Sequence, residues 1–139
     1  MIVLDTNVLS EVLRPSPAES VMRWLAGQPR DIVATTAVTQ AEVLYGVEAL
    51  PAGKRRKQLH EAIRKLFSEE FRGRVFPFDE EAAGCFVKIV VEREALGWPI
   101  SQFDAMIAAI ARCRQAAVAT RNVNDFQHCG VSVIDPWAE

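Results

Sequence analysis

Acidic side chains that could bind a metal or activate water stand beside apolar segments at separate places in this chain. The first, Asp5, directly follows the apolar run Ile2-Val3-Leu4. Such a run predicts a fully buried strand, and the carboxyl end of a strand is where α/β folds bind ligands. Aspartate is also common there as a turn or helix-cap residue. Both interpretations of Asp5 stay open on its position alone.

A second acid, Glu42, lies in a stretch with few other polar side chains, from Val38 to Val47. The stretch predicts a helix, and an ionised glutamate within it needs a partner because an isolated buried charge is costly. The spacing Thr39-x-x-Glu42 also fits a capping box, in which the glutamate only closes the helix N-terminus. Because the apolar residues begin at Ala37, Glu42 falls beyond the first turn, which favours a functional role.

A third acid, Asp104, precedes the run from Ala105 to Ala111, which is apolar on every side of a helix. The spacing Ser101-x-x-Asp104 is again that of a capping box, and an acid in the first turn complements the helix dipole. An entirely apolar helix is expected to be central in the fold. Its N-terminus, with Asp104, is therefore expected to open into the interior or into a cleft.

The fourth group is the polar segment Thr120-Arg121-Asn122-Val123-Asn124-Asp125, which follows the apolar residues 116–119. If those residues form a strand beside the first one in a parallel sheet, Asn122 and Asp125 reach the same edge as Asp5. An asparagine-rich turn without any chemistry is the alternative.

Two members of this segment compete for a place in the site. If residues 122–126 form a helical turn, Asn122 and Asp125 lie three positions apart on one face and Phe126 points into the core. An amide at Asn122 adds no negative charge, so we expect Asp125 to contribute more to metal binding.

Taken together, these acids indicate a function more clearly than any one of them does alone. Carboxylate oxygens without histidine or cysteine suit Mg²⁺ or Mn²⁺. Clustered like charges repel one another unless a cation neutralises them, and such metals serve phosphoryl chemistry by orienting and activating water. The sequence therefore predicts a metal-dependent site for phosphate chemistry.

Strands alternate with helices along the chain, which predicts α/β layers around a mainly parallel sheet. The predicted strands cover residues 2–4, 31–34, 74–76, 116–120 and 131–134. Helices are expected from Asn7 to Leu13, from about Ser16 onward, over 37–50, 54–68 and 80–96, and after Ser101, with Asn7, Thr36, Asp79 and Ser101 as their caps.

Composition excludes several other classes of protein. Half of the 139 residues are hydrophobic and the net charge is −2, which excludes a disordered tail and a protein that coats nucleic acid by bulk charge. Three widely spaced cysteines and two histidines form no zinc or disulfide pattern. No signal peptide or membrane span is indicated. We expect a single cytoplasmic domain over residues 1–139.

The motifs as a set resemble a known family. Asp5-Thr6-Asn7 after the first strand, Glu42 with Gly46, Asp104 with Ile107-Ala108-Ala109, and Thr120-Arg121-Asn122-x-x-Asp125-Phe126 resemble a PIN domain. Their spacing and the closing Pro136-Trp137 are similar to the VapC/FitB-type toxins of bacterial toxin–antitoxin pairs. The resemblance implies a three-layer α/β/α sandwich with a mainly parallel five-stranded sheet.

The same resemblance implies an activity and partners. It implies an endoribonuclease that depends on Mg²⁺ or Mn²⁺ and hydrolyses RNA with a metal-activated water. It also implies a homodimer held inactive by a VapB-like antitoxin, with which it assembles on operator DNA. A catalytically silent binding scaffold and an enzyme transferring phosphoryl groups on small molecules remain the alternatives.

Carried over to this chain, the resemblance assigns roles to individual residues. Asp5 and Asp104 would bind the metal, and Glu42 and Asp125 would complete the catalytic set. Four further side chains would orient carboxylates or waters: Thr6, Ser101, Thr120 and Asn122. Some relatives carry an acid at the position of Asn122, where this chain has an amide.

Basic and aromatic residues outside these motifs allow two interpretations each. The run Lys54-Arg55-Arg56-Lys57 could attract RNA, but four consecutive residues surround a helix, so a solvated helix end is the simpler interpretation. Trp24, Trp98 and Trp137 could stack on bases, although scattered tryptophans beside apolar neighbours usually belong to a core or an interface.

Overall fold

A parallel sheet of five strands forms the centre of the protein, which a computed structural model describes over residues 1–139. The strands are β1 (Ile2–Leu4), β2 (Val33–Thr36), β3 (Val75–Phe76), β4 (Ala117–Ala119) and β5 (Val133–Ile134). Their order in the sheet is β3-β2-β1-β4-β5, and every neighbouring pair is parallel. The chain thus starts in the middle of the sheet and builds outward on both sides, with the order reversing around β1.

Six α-helices cover the two faces of this sheet. They are α1 (Thr6–Val12), α2 (Glu19–Ala26), α3 (Ala37–Glu48), α4 (Lys54–Lys65), α5 (Glu80–Ala95) and α6 (Gln102–Cys113). The side chains of β1 alternate between the faces: Val3 belongs to a core built with α5 and α6, whereas Ile2 and Leu4 belong to a second core. Two cores on opposite faces of one sheet make a three-layer α/β/α sandwich, as predicted.

The expected position of the apolar helix is confirmed. In α6, Ala105 and every residue from Ile107 to Ala111 are at most 1% exposed. Its cap is also confirmed, because the Ser101 hydroxyl accepts a hydrogen bond from the backbone N–H of Asp104 at 3.2 Å. Thr36 and Asp79 likewise cap α3 and α5.

The predicted cap of the first helix is wrong. Asp5 caps α1 instead of Asn7, and its Oδ1 accepts a hydrogen bond from the N–H of Val8 at 3.0 Å. The reason is that β1 ends at Leu4 and the backbone of Asp5 is still extended, with φ −79° and ψ 179°. The helix therefore begins directly after the strand, so Asp5 both follows the end of β1 and caps the start of α1.

Other boundaries differ from the prediction by a few residues. The second strand is displaced from 31–34 to 33–36, because residues 30–32 form a 3₁₀ turn. The second helix begins at Glu19, and the fourth continues beyond Lys65 as a π-helical turn over 66–70. None of the helices is long and apolar enough to cross a membrane.

Candidate active site

Asp5 is the buried centre of the carboxyl edge of the sheet. It follows the central strand β1 and is only 3% exposed. One oxygen caps α1, and the side chain of Thr120, which follows the neighbouring strand β4, also forms a hydrogen bond with this carboxyl group. The parallel pairing of β1 with β4 brings these two residues together.

The electrostatics of Asp5 are those of an acid without a counter-charge. Burial removes water from the carboxylate and, together with the charge of Asp104, raises the pKa of Asp5 from 3.8 to about 6. The hydrogen bonds from Thr120 and Val8 lower the pKa, but they do not offset the loss of solvation. Binding of a cation here would stabilise the ionised form.

Glu42 of α3 faces Thr6, the residue after Asp5, across the groove between α1 and α3. Its Oε1 lies 2.6 Å from the Thr6 hydroxyl, whose oxygen is also 3.2 Å from the Thr39 hydroxyl. A hydroxyl has a single proton, and a carboxylate is the stronger acceptor, so Thr6 donates to Glu42 and accepts from Thr39. Thr36 caps the helix, so the capping-box interpretation of Glu42 is wrong.

Asp104 is half-buried in the first turn of α6 and belongs to the same electrostatic cluster. Burial raises its pKa, and the charges of Asp125 and Glu42 raise it further, while a hydrogen bond with Ser101 and the charge of Arg93 oppose them. The capping and site interpretations of Asp104 are therefore compatible. Its backbone N–H closes the cap, and its carboxylate lies among other acids.

The segment after β4 folds as the helical turn that the sequence allowed. Residues Val123–Phe126 form a 3₁₀ turn, and Phe126 is 1% exposed in the core. The N–H of Asn122 donates to the Thr120 hydroxyl at 3.0 Å, which ties the turn to the Asp5 edge. Asp125 is exposed and close enough to Asp104 to raise its pKa.

A buried arginine that sequence reasoning missed connects the parts of the site. Arg93 of α5 is 1% exposed, and its guanidinium donates to the carbonyls of Asp125 at 2.9 Å and Gln127 at 2.8 Å. It also donates to the carbonyls of Trp98 and Pro99, in the turn leading to α6. The sequence pattern that could have revealed Arg93 is its position four residues after Ile89, which places both side chains on the buried face of the helix.

The acids fit a divalent cation in charge and donor type. They supply carboxylate oxygens, the ligands that Mg²⁺ and Mn²⁺ prefer, and the raised pKa of buried Asp5 shows that its charge lacks compensation. The structure does not, however, gather three acidic, histidine or cysteine side chains into a preformed ligand set. The fit therefore depends on electrostatics and donor chemistry.

A parallel five-stranded sheet whose order reverses around β1, with the buried Asp5 at the carboxyl end of that strand, agrees with the predicted PIN-type domain. The family model described as "PIN domain" matches residues 2–130. The chain belongs to the PIN domain family, as its motifs indicated.

Several relatives are similar over the whole chain. "Toxin FitB" of Neisseria gonorrhoeae is 40% identical, and the alignment covers 99% of both chains. "VapC ribonuclease Y4jK" of Sinorhizobium fredii is 36% identical over 99% of this chain and 98% of that protein. The crystal structure of FitAcB from Neisseria gonorrhoeae superposes with a TM-score of 0.94 at 40% identity, covering 100% of both chains.

A more distant solved structure has the same fold. The DNA-bound VapBC structure from Salmonella typhimurium gives a TM-score of 0.79 at 26% identity, covering 97% of each chain. The predicted likeness to VapC/FitB-type toxins is confirmed by these comparisons.

Proposed function

We propose that this protein is an endoribonuclease and the toxin of a type II toxin–antitoxin pair. The observation that carries the proposal is the buried carboxylate of Asp5, held at the end of the central strand within electrostatic reach of Asp104. Glu42 and Asp125 add two more acids to this cluster. The names of the relatives, a toxin and a ribonuclease, support the same activity.

The acids would act together with Mg²⁺ or Mn²⁺, which Asp5 and Asp104 would hold. Such an ion activates water for in-line attack on a phosphodiester and neutralises charge on the leaving oxygen. Asp5 must be ionised to serve as a ligand, and the Thr120 hydrogen bond favours that ionised form.

The hydroxyl groups around the acids fix their orientation. Thr6 donates to Oε1 of Glu42, which leaves Oε2 to accept a hydrogen bond from water or from the substrate. The side chains of Thr120 and Ser101 lie beside the carboxyl groups of Asp5 and Asp104 and lower their pKa. These contacts reduce the freedom of the carboxylates, so less order is lost when a substrate binds.

The partners are proposed from the likeness to complexes. Solved neighbours include FitAB bound to a DNA fragment and DNA-bound VapBC. We therefore propose a cytoplasmic homodimer that is inhibited by a VapB-like antitoxin and assembles with it on operator DNA. An antitoxin arginine placed against Asp5, Glu42 and Asp104 would pair with carboxylates in a bidentate manner and replace the charge of the metal.

Cleavage of RNA by the purified protein tests the proposal. Wild-type protein is expected to cleave RNA when Mn²⁺ or Mg²⁺ is present, and Asp104→Asn is expected to abolish cleavage. Glu69→Gln is the matched control, because it removes one exposed carboxylate outside the site. Absence of cleavage together with failure to bind Mn²⁺ would favour a silent scaffold, whereas activity on free nucleotides alone would favour a small-molecule enzyme.

A further inference from the structure

Two open cavities adjoin each other along the outer face of α1. One, of about 360 Å³, is lined by residues that include Asn7, Arg121 and Trp137. The other, of about 170 Å³, lies towards α3 and α4 and includes Glu42, Gly46 and Arg55 in its lining. Ser10 of α1 and Arg14, which follows the C-cap of that helix, line both cavities. The two cavities therefore lie side by side around these two residues, and together they are here named the α1 groove.

The α1 groove adjoins the candidate site through Glu42 and through residues next to Asp5 and Asp125. Glu42 lines one part of it directly. The other part is lined by Asn7, two residues after Asp5, and by Asn122, whose N–H is bound by the same Thr120 side chain that contacts Asp5. A chain molecule lying in the groove would pass the acids along its length.

Cations are spread along the groove instead of being gathered at one point. Arg121 stands at one end, Arg14 in the middle and Arg55 at the other end. Arg14 is paired with Glu11, at 3.2 Å, whereas neither Arg55 nor Arg121 takes part in an ion pair. Three separate cations in the lining suit a ligand that carries several negative charges.

The structure separates the members of the basic run at the start of α4. Arg55 faces the α1 groove, but Arg56 pairs with Glu48 at 3.2 Å and lines a different cavity, between α3 and α4. The run is therefore neither a uniform solvated helix end nor a uniform RNA-binding patch. Of the four basic residues, Arg55 alone lines the α1 groove.

An aromatic platform lies at the Arg121 end of the groove. The guanidinium carbon of Arg121 is 5.1 Å from the centre of the Trp137 ring. Trp137 is half-buried against the second core, and its backbone N–H donates to Oδ1 of Asp135 at 2.9 Å, so packing and this turn hold the residue in place. A guanidinium held against an indole keeps its N–H donors free for a phosphate, and the outer face of the guanidinium offers a surface on which a base can stack.

We propose that the α1 groove is a binding track for single-stranded RNA, in which Arg14, Arg55 and Arg121 contact phosphates on either side of the cleaved bond. This inference rests on the proposed ribonuclease function. An RNA strand carries a charge at every nucleotide and unstacked bases, and the groove presents separated arginines, exposed amides and a tryptophan for them. The acids beside the track receive the phosphodiester between two held phosphates.

Binding of a short fluorescein-labelled single-stranded RNA, measured by fluorescence anisotropy in EDTA over a series of salt concentrations, tests the track. Wild-type protein, Arg55→Ala and Arg121→Ala are compared with Arg72→Ala, which removes an exposed arginine outside the groove. Each lost phosphate contact is expected to lower the slope of log K against log salt by about 0.7 and to weaken binding. Arg72→Ala is expected to match the wild type.

Wild-type affinity and salt slope in both Arg55→Ala and Arg121→Ala would overturn the track. The track would also be overturned if Arg55→Ala and Arg121→Ala bound a glutamate-rich peptide more weakly than wild type does but bound RNA equally well. The groove would then be a peptide site. RNA cleavage by the wild type in Mn²⁺ is scored separately. A protein that cleaves RNA but binds it equally well in all variants refutes the track and leaves the proposed function intact.

Discussion

At the scale of single residues, Asp5 has two roles that depend on different properties of its carboxyl group. As the cap of α1 it needs an oxygen acceptor for the N–H of Val8, at 3.0 Å. As a site residue it needs a negative charge, although burial makes that charge unfavourable and raises the pKa to about 6. Asparagine keeps the acceptor and removes the charge, so the two roles can be separated by one substitution.

Asp5→Asn is expected to stabilise the metal-free protein at neutral pH. The folded pKa of about 6 lies above the ordinary value of 3.8, so the folded state binds the proton more tightly. The stability from this protonation is complete below the ordinary pKa and is lost as pH rises through the folded pKa. At neutral pH the ionised carboxylate then costs about 3 kcal/mol, an order-of-magnitude figure.

Urea unfolding in EDTA from about pH 4 to about pH 8 measures this difference. The stability of Asp5→Asn relative to wild type should increase across the range, while Glu69→Gln should show no such trend. A variant less stable than wild type at every pH would mean that Asp5 acts only as a cap.

Asp125 and Asn122 are expected to contribute unequally to metal binding. Asp125 is close enough to Asp104 to raise its pKa, whereas Asn122 lines the part of the α1 groove beside Arg121. Asp125→Asn should therefore weaken Mn²⁺ binding by about tenfold, the usual effect of losing a group that supports a metal ligand. Asn122→Ala should change it less. Equal Mn²⁺ affinity of wild type and Asp125→Asn in calorimetry would leave a site with three acids.

At the scale of elements, the site depends on how α5 holds the two segments that carry Asp104 and Asp125. Both segments meet the guanidinium of Arg93, which donates to carbonyl oxygens in the turn before α6 and in the turn after β4. Its positive charge also lowers the pKa of Asp104. A buried arginine of this kind stabilises the fold only while its donors are satisfied, and here the carbonyls satisfy them.

Arg93→Met is expected to destabilise the protein by about 3 kcal/mol, because it leaves several carbonyl oxygens without donors. Arg112→Met is the comparison, since the Nη1 of Arg112 is buried without a hydrogen bond and lies 3.6 Å from Glu92. That change should cost less than Arg93→Met. Urea unfolding measures both, and equal losses would show that the Arg93 contacts are not what stabilises the two turns.

The elements also show what sequence patterns can and cannot predict. Apolar runs predicted all five strands to within a few residues, and the all-apolar stretch from Ala105 predicted that α6 lies in the core. Both predictions were possible because buried segments consist mainly of apolar residues. The cap of α1 was misassigned because it depends on where β1 ends, which hydrophobicity does not specify. Arg93 was missed because its partners are backbone carbonyls, two of them more than thirty residues away, and hydrogen bonds to carbonyls cannot be read from residue types.

The partner of Glu42 illustrates the same limit within the site. The sequence showed that a carboxylate in an apolar helix needs a partner, and that expectation is confirmed. It could not show that the partner is Thr6, which lies 36 positions away and is brought near by the packing of α1 on α3. The residue types in a sequence indicate which side chains need a partner, whereas the topology of the fold determines which partner each one contacts.

At the scale of the whole molecule, opposite charges are arranged side by side on one edge of the sheet. The acids collect where β1 and β4 end, and unpaired arginines flank them along the α1 groove. A net charge of only −2 conceals this separation. The arrangement suits a polyanion that must be attracted by the arginines and brought against the carboxylates with a cation between them.

Calorimetric titration of the purified protein with Mn²⁺ tests most directly whether these acids form a metal-dependent site. Wild type and the control Glu69→Gln are expected to bind Mn²⁺, while Asp5→Asn and Asp104→Asn are expected to lose binding with their melting temperatures in EDTA unchanged or raised. Failure of the wild type to bind Mn²⁺, or wild-type affinity in both asparagine variants, would contradict the account.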